Sequence, residues 1–316
     1  MLNFLRRYGT LAGFVLILLF FTVRLPDTFL TAQNWLNITQ QLSMLMVVAA
    51  GMTLAMVMGD FDLSVGSMAS LSGIVAAILF SVGWPIWAAV GVALLVGIAG
   101  GLINGALVSF VGILPFVATL ATLTIFSGVA FVVSGGKTIS GRAIPDAFGE
   151  FARQGLVLGP VTLPNLNIVA ALALAVVWVL LEQTTFGRRL YAIGGNVEAA
   201  FLSGVPVRRL KLLAFSLTGL SAAAAGVLYA SRVASANPTQ GSGLMLNAIA
   251  AVFLGMTMSE QGEPHVLATL VGVLILGVLD NGLTQMSVDS YVRQILVGSI
   301  IVIAVSASSI IKTAKR

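Results

Sequence analysis

Apolar residues run along this chain in blocks close to the roughly 20 residues that cross a bilayer, and each block ends in a short segment rich in Gly, Pro, Asn or charge. Runs such as 170–181 show no in–out alternation, which argues against the ~10-residue alternating strands of a membrane β-barrel. Helices are then the remaining spanning element, because lipid leaves every backbone N–H and C=O to be satisfied within the protein. The pattern predicts an all-α, polytopic helical bundle of about ten segments, at 8–23, 42–58, 65–82, 86–111, 115–134, 165–181, 212–231, 246–258, 266–286 and 291–310. The block 246–258 is short for a full crossing and is expected to be a half-helix that re-enters beside other protein. The chain, 1–316, reads as one transmembrane domain with a long loop at about 182–211.

Composition agrees: 58% of residues are hydrophobic and 9% charged, against about 25% charged in a soluble domain. The 16 Lys and Arg outnumber the 11 Asp and Glu. With ten crossings, one side carries Arg6, Arg7, Arg188, Arg189, Arg208, Arg209, Lys211, Lys312, Lys315 and Arg316, and the other Arg24, Lys137, Arg142, Arg153, Arg232 and Arg293. The positive-inside rule therefore predicts both termini in the cytoplasm, and the net charge of +5 reads as topology rather than nucleic-acid binding. No small-x-small cleavage site follows Arg6 and Arg7, so a retained first helix is expected. The chain has no cysteine, which excludes disulfides, thiol catalysis and cysteine-ligated metal. Its single histidine, His265, falls in a short polar connection and reads as a solvated loop residue, and no metal ligand set is expected.

Charges at membrane depth need an explanation. Gly59-Asp60-Phe61-Asp62-Leu63-Ser64 sets two carboxylates between apolar stretches. Asp62 or Ser64 could cap the following helix, and the same residues could line a substrate path; the two readings are compatible. Gly97, Gly101 and Gly105 fall four apart with Asn104 beside them, a spacing that lets a neighbouring backbone approach closely. Asp280, Asn281 and Gln285 interrupt an apolar helix and require a water-filled path or an interhelical partner. Ser134-Gly135-Gly136-Lys137-Thr138 ends like a phosphate-binding loop, but Phe131 stands where that motif needs glycine.

The richest segment is 184–211. Gly194 and Gly195 interrupt what precedes them, Asn196 is a good N-cap, Glu198 suits the first turn of a helix, and Gly204 with Pro206 ends it. A short cytoplasmic helix with an apolar patch of Val197, Phe201 and Leu202 follows. Such a helix suits docking into a partner; a basic loop held against anionic lipid is the alternative.

Here the sequence resembles the monosaccharide and branched-chain amino acid permeases of ATP-binding-cassette importers, especially their ribose, xylose and arabinose branch. The resemblance rests on 185–211, with weaker blocks at 59–73, 237–255 and 277–298. It implies that the loop is the coupling element to a separate cytoplasmic ATPase, through Gly187, Arg188, Gly194, Asn196, Glu198 and Gly204. It also implies a path near Asp60 and Asp62, for which Ser64, Asn104, Asn247, Asp280 and Asn281 are further candidates. Implied partners are that ATPase, a periplasmic sugar-binding protein, a second permease copy and membrane lipid of the bacterial inner membrane. No cofactor is expected on this chain, ATP being used by the partner, and no catalytic residue. The wording of 59–64 and 192–196 looks closest to L-arabinose permeases. Segment 255–264 departs from the family's glycine-rich pattern and carries two added carboxylates. The alternative is an ion-coupled secondary transporter using Asp60, Asp62 or Asp280, although no internal repeat of the kind common in such carriers is visible.

Overall fold

The computed structural model describes residues 2–159, 161–259 and 261–313, and every predicted apolar block is helical in it. The helices are α1 (Leu2–Arg24), α2 (Ala32–Val57), α3 (Val65–Ser81), α4 (Ile86–Ala106), α5 (Pro115–Ser134), α6 (Asp146–Arg153), α7 (Asn165–Trp178), α8 (Thr185–Gly195), α9 (Val197–Leu202), α10 (Val207–Val233), α11 (Leu244–Met256), α12 (Val266–Gln285) and α13 (Ser290–Thr313). Single π-helical turns extend α4 over Leu107–Val111 and α7 over Val179–Gln183. Among the described residues six helices are long and apolar enough to cross a membrane, and 9–24, α3 and α11 are shorter apolar helices. The chain is a polytopic helical membrane protein.

At the centre lies α2, whose residues from Leu42 to Val57 are buried almost without interruption. Its 26 residues give a rod of about 39 Å, longer than the ~30 Å hydrocarbon core. It packs against α7, α10, α11 and α12. The predicted glycine seam forms the tightest helix pair, α4 on α10: a Cβ on Gly97 would strike Gly219 and Ala223, on Gly101 the backbone of Phe215 and Ser216, and on Gly105 that of Leu212. Gly226 on α10 meets Ala69 of α3 in the same way, so α10 is clasped from two sides.

The segment 135–164, between two of the predicted apolar blocks, carries structure of its own. β1 (Ile139–Ser140) pairs with β4 (Ser235–Ala236), and β2 (Gly155–Leu158) forms a hairpin with β3 (Val161–Pro164). The amphipathic α6 buries Phe148 beside Phe80, with ring centroids 4.7 Å apart.

The expectation of a re-entrant half-helix at 246–258 is corrected in part. α11 is indeed short, about 20 Å, but it does not turn back. β4 lies at the hairpin end of the bundle, whereas Thr257, after α11, bonds Thr10 of α1 at the opposite end. The segment from Ser235 to Met256 thus runs from one end of the bundle toward the other, through consecutive turns at 238–243 and then as a helix. Gly243, at φ 89°, makes the change, a conformation that costs least in a residue without Cβ.

Candidate functional site

A non-helical, turn-rich chain within the bundle, as at 237–243, must find polar partners in the protein. The Gly241 N–H donates to Ser70 Oγ at 2.8 Å, and Gln240 Nε2 to the Gly226 carbonyl at 3.1 Å. Gly66 lies so close that a Cβ there would strike the Gly241 carbonyl. Held in this way, the segment walls a cavity of about 340 Å³ at the start of α11, bounded on its other sides by α2, α10, α12 and α13. Gln41, Arg232, Gln240, Ser242, Asn247 and Asp280 supply its polar lining, and Tyr229, Leu244 and Leu276 apolar surface.

Asp280 is fixed from both flanks. Arg293 Nη1 of α13 donates to Oδ1 at 2.6 Å, and Gln41 Nε2 of α2 to Oδ2 at 3.1 Å. Asp280 therefore has the partner that an intramembrane carboxylate requires, and it ties three helices together around the cavity. Asn281 lies one position on and faces elsewhere, donating from Nδ2 to Asn34 Oδ1 at 3.0 Å and accepting from Gln285 Nε2 at 2.8 Å.

The other candidates form two separate groups. Asp62 is buried and accepts from Ser64, through the backbone N–H at 2.9 Å and through Oγ at 2.6 Å. Asn104 Nδ2 donates to Ser64 Oγ at 2.8 Å, while its Oδ1 accepts from Thr122 Oγ1 at 2.7 Å. These residues bind the start of α3 to α4 and α5. Ser64 is the N-cap residue of α3 but neither it nor Asp62 makes a side-chain cap bond to the first turn, so Asp62 serves interhelical bonding rather than capping. Asp60 instead forms a buried ion pair with Lys211 of α10, 2.7 Å from Nζ to Oδ2. Neither group lines the cavity.

At the far end from the cavity, α8 and α9 lie under the bundle. Leu190, Ile193 and Ala200 join a core with Leu54 and Val57 of α2, Val177 and Leu181 of the α7 segment, Leu210 of α10 and Val266 of α12. Asn196 caps α9, its Oδ1 accepting from the Ala199 N–H at 2.9 Å, and Gly204 turns the chain at φ 81°. The apolar side chains beyond the cap stay exposed: Val197 by 45%, Phe201 by 66% and Leu202 by 78%. Val197 and Phe201, with Phe110, Val205 and Arg209, border an open groove of about 710 Å³.

Gly187 and Gly194 face inward. A Cβ on Gly187 would overlap the Leu181 backbone, and one on Gly194 the Val57 carbonyl, so both glycines serve the bundle's own packing. Arg188 and Glu198 face solvent. Sequence reading missed Gln41, Gln240 and Arg293, whose roles arise from tertiary contact. It also missed the surroundings of His265. The ring is half-buried rather than solvated, with Nδ1 3.1 Å from Tyr191 Oη and 3.3 Å from Glu182 Oε1. Burial, then the Glu182 charge, raises the Tyr191 phenol well above its ordinary pKa.

A family described as branched-chain amino acid transport system / permease component matches residues 34–305. The ribose import permease protein RbsC of Bacillus subtilis is 40% identical over 302 residues, 95% of this chain and 92% of that protein. The D-allose transport system permease protein AlsC of Escherichia coli is 34% identical, covering 96% and 92%, and its xylose transport system permease protein XylH 31%, covering 98% and 93%. No solved structure matches the chain.

Proposed function

The chain belongs to the branched-chain amino acid transport system / permease component family, and from that premise we propose that it is the permease subunit of an ATP-driven monosaccharide importer of the bacterial inner membrane. It is a transport component and not an enzyme. The relatives named for ribose, allose and xylose support a monosaccharide as the cargo, with a pentose favoured and L-arabinose among the candidates.

One observation carries this reading: a polar cavity in one half of the bundle and a capped, apolar-tipped helix exposed at the other end, joined by the same helices. A sugar is uncharged and rich in hydroxyls. The amides of Gln41, Gln240 and Asn247 and the hydroxyl of Ser242 both donate and accept, and a cavity of about 340 Å³ lies within the range of small-molecule sites. Asp280 and Asn247 are therefore proposed on the path. Asp62, Ser64 and Asn104 are proposed to hold the base of α3, and Asn281 to join α12 to α2.

The cluster Arg188, Arg189, Arg208, Arg209 and Lys211 supports placing the α8–α9 end in the cytoplasm. There α9 is proposed to dock into the ATPase through Val197, Phe201 and Leu202, with Glu198 and Arg188 at the rim and Asn196 and Gly204 fixing its ends. A periplasmic binding protein would deliver sugar to the opposite face, and a second permease copy would complete the assembly. An ion-coupled carrier draws less support, because Asp60, Asp62 and Asp280 are each already engaged by neighbours.

Reconstitution with the ATPase and binding protein tests the proposal. Leu202→Asp on the exposed face should leave permease levels normal while copurified ATPase falls. Asp280→Asn should retain the ATPase and lose sugar uptake. Full ATPase binding and uptake by Leu202→Asp would reduce α9 to an ordinary loop helix.

A further inference from the structure

Three polar residues from three distant stretches meet where α8 touches the start of α12. Glu182 sits in the π-turn that closes the α7 segment, Tyr191 in the middle of α8, and His265 at the N-cap of α12. Tyr191 Oη is 3.1 Å from Glu182 Oε1, 2.9 Å from the Pro264 carbonyl and 3.1 Å from His265 Nδ1. His265 Nδ1 is also 3.3 Å from Glu182 Oε1, and the two rings stand 5.6 Å apart.

The proton count is restrictive. The carboxylate and the carbonyl only accept, so the two hydrogens at the centre must come from the phenol and from Nδ1–H. Raising the phenol's pKa keeps its hydrogen in place. His265 Nδ1–H then donates toward Glu182 and the Tyr191 oxygen, while the Tyr191 O–H donates toward Pro264 or Glu182. The three residues thus bond to one another through a single shared centre.

Resting on the importer reading, we propose that Glu182, Tyr191 and His265 form a latch that transmits movement of the α8–α9 pair into α12, and so to the cavity. The geometry gives α8 two kinds of contact with the bundle. Against α2 it packs through Gly194 on Val57 and through apolar side chains, which tolerate sliding. Against α12 the contact is directional, and Val266, next to His265, is fully buried in the same core. From there α12 runs 20 residues as an unbroken helix, about 30 Å, and carries Asp280 in the cavity wall. A tilt of α8 cannot leave the start of α12 in place without breaking the latch. The three are positioning residues: they touch neither sugar nor nucleotide.

The test uses the whole transporter in liposomes, with ribose, xylose or allose as the sugar probe, whichever the wild type imports. Sugar imported per ATP hydrolysed is read together with ATPase copurification. Tyr191→Phe keeps the ring and removes the hydroxyl. It should retain the ATPase while the sugar-to-ATP ratio falls about fivefold or more, the lower range of an allosteric coupling. His265→Ala should behave alike, and the double variant no worse than either, since both break one device. Glu182→Gln, which keeps an acceptor, should stay near the wild type, whereas Glu182→Ala should match Tyr191→Phe. Wild-type ratios in Tyr191→Phe and His265→Ala, or losses that add in the double variant, would overturn the latch alone. Failure of loaded binding protein to stimulate ATP hydrolysis in the wild type would remove the importer reading and the latch together.

Discussion

Removing Lys211 should harm this protein more than removing the carboxylate it faces. The Asp60–Lys211 pair joins the α2–α3 turn to the base of α10, and its side chains are only 8% and 14% exposed. In Lys211→Met the Asp60 carboxylate stays buried with no cation, and loss of one partner of a buried pair costs about 3–5 kcal/mol. In Asp60→Asn the remaining ammonium sits on a four-carbon stem at the bundle's end and can reach water, so the cost should be nearer the ~1–3 kcal/mol of an unmade bond. The double variant Asp60→Asn/Lys211→Met strands no charge and should recover most of the loss. Thermal unfolding in detergent, followed by size exclusion, would then rank midpoints as Lys211→Met lowest, Asp60→Asn intermediate, and the double variant closest to the wild type. Equal losses in the single variants that sum in the double would show that the two groups do not act as a pair.

The α4–α10 seam gives an internal control. Gly101→Leu meets backbone on α10 and should abolish folded permease in the membrane, whereas Gly91→Leu on the same helix meets open space and should be tolerated, as measured by membrane-embedded protein yield. Reporter fusions after Gly204 should report cytoplasm and those after Glu150 periplasm; the reverse pattern would invert the assignment of the α8–α9 end.

Much of this arrangement was legible in the chain. The ten apolar blocks all became helices, because hydrophobic runs of that length have few other stable states in lipid. The four-residue spacing of Gly97, Gly101 and Gly105 foretold a close helix pair, and Asn196 foretold its cap. What escaped were features set by tertiary contact. Leu190 and Ile193 fall three apart, a helical signal, yet the charged stretch around them read as loop and α8 was missed. The polar segment 234–243 also reads as a loop, and only the meeting with Ser70 and Gly226 shows that it lies within the bundle. His265 gained its partners from positions 83 and 74 residues away.

The half-helical segment 235–256 also constrains how the protein is made. A 13-residue helix spans about two-thirds of the hydrocarbon core, and the run of turns before it brings backbone groups that lipid cannot solvate. This segment is therefore a poor independent substrate for the insertion machinery, and its partners, Ser70 on α3 and Gly226 on α10, precede it in the chain. Biogenesis consequently has an order: α3 and α10 must already be associated, with the groove between them open, before the part of the chain that walls the cavity can enter the membrane.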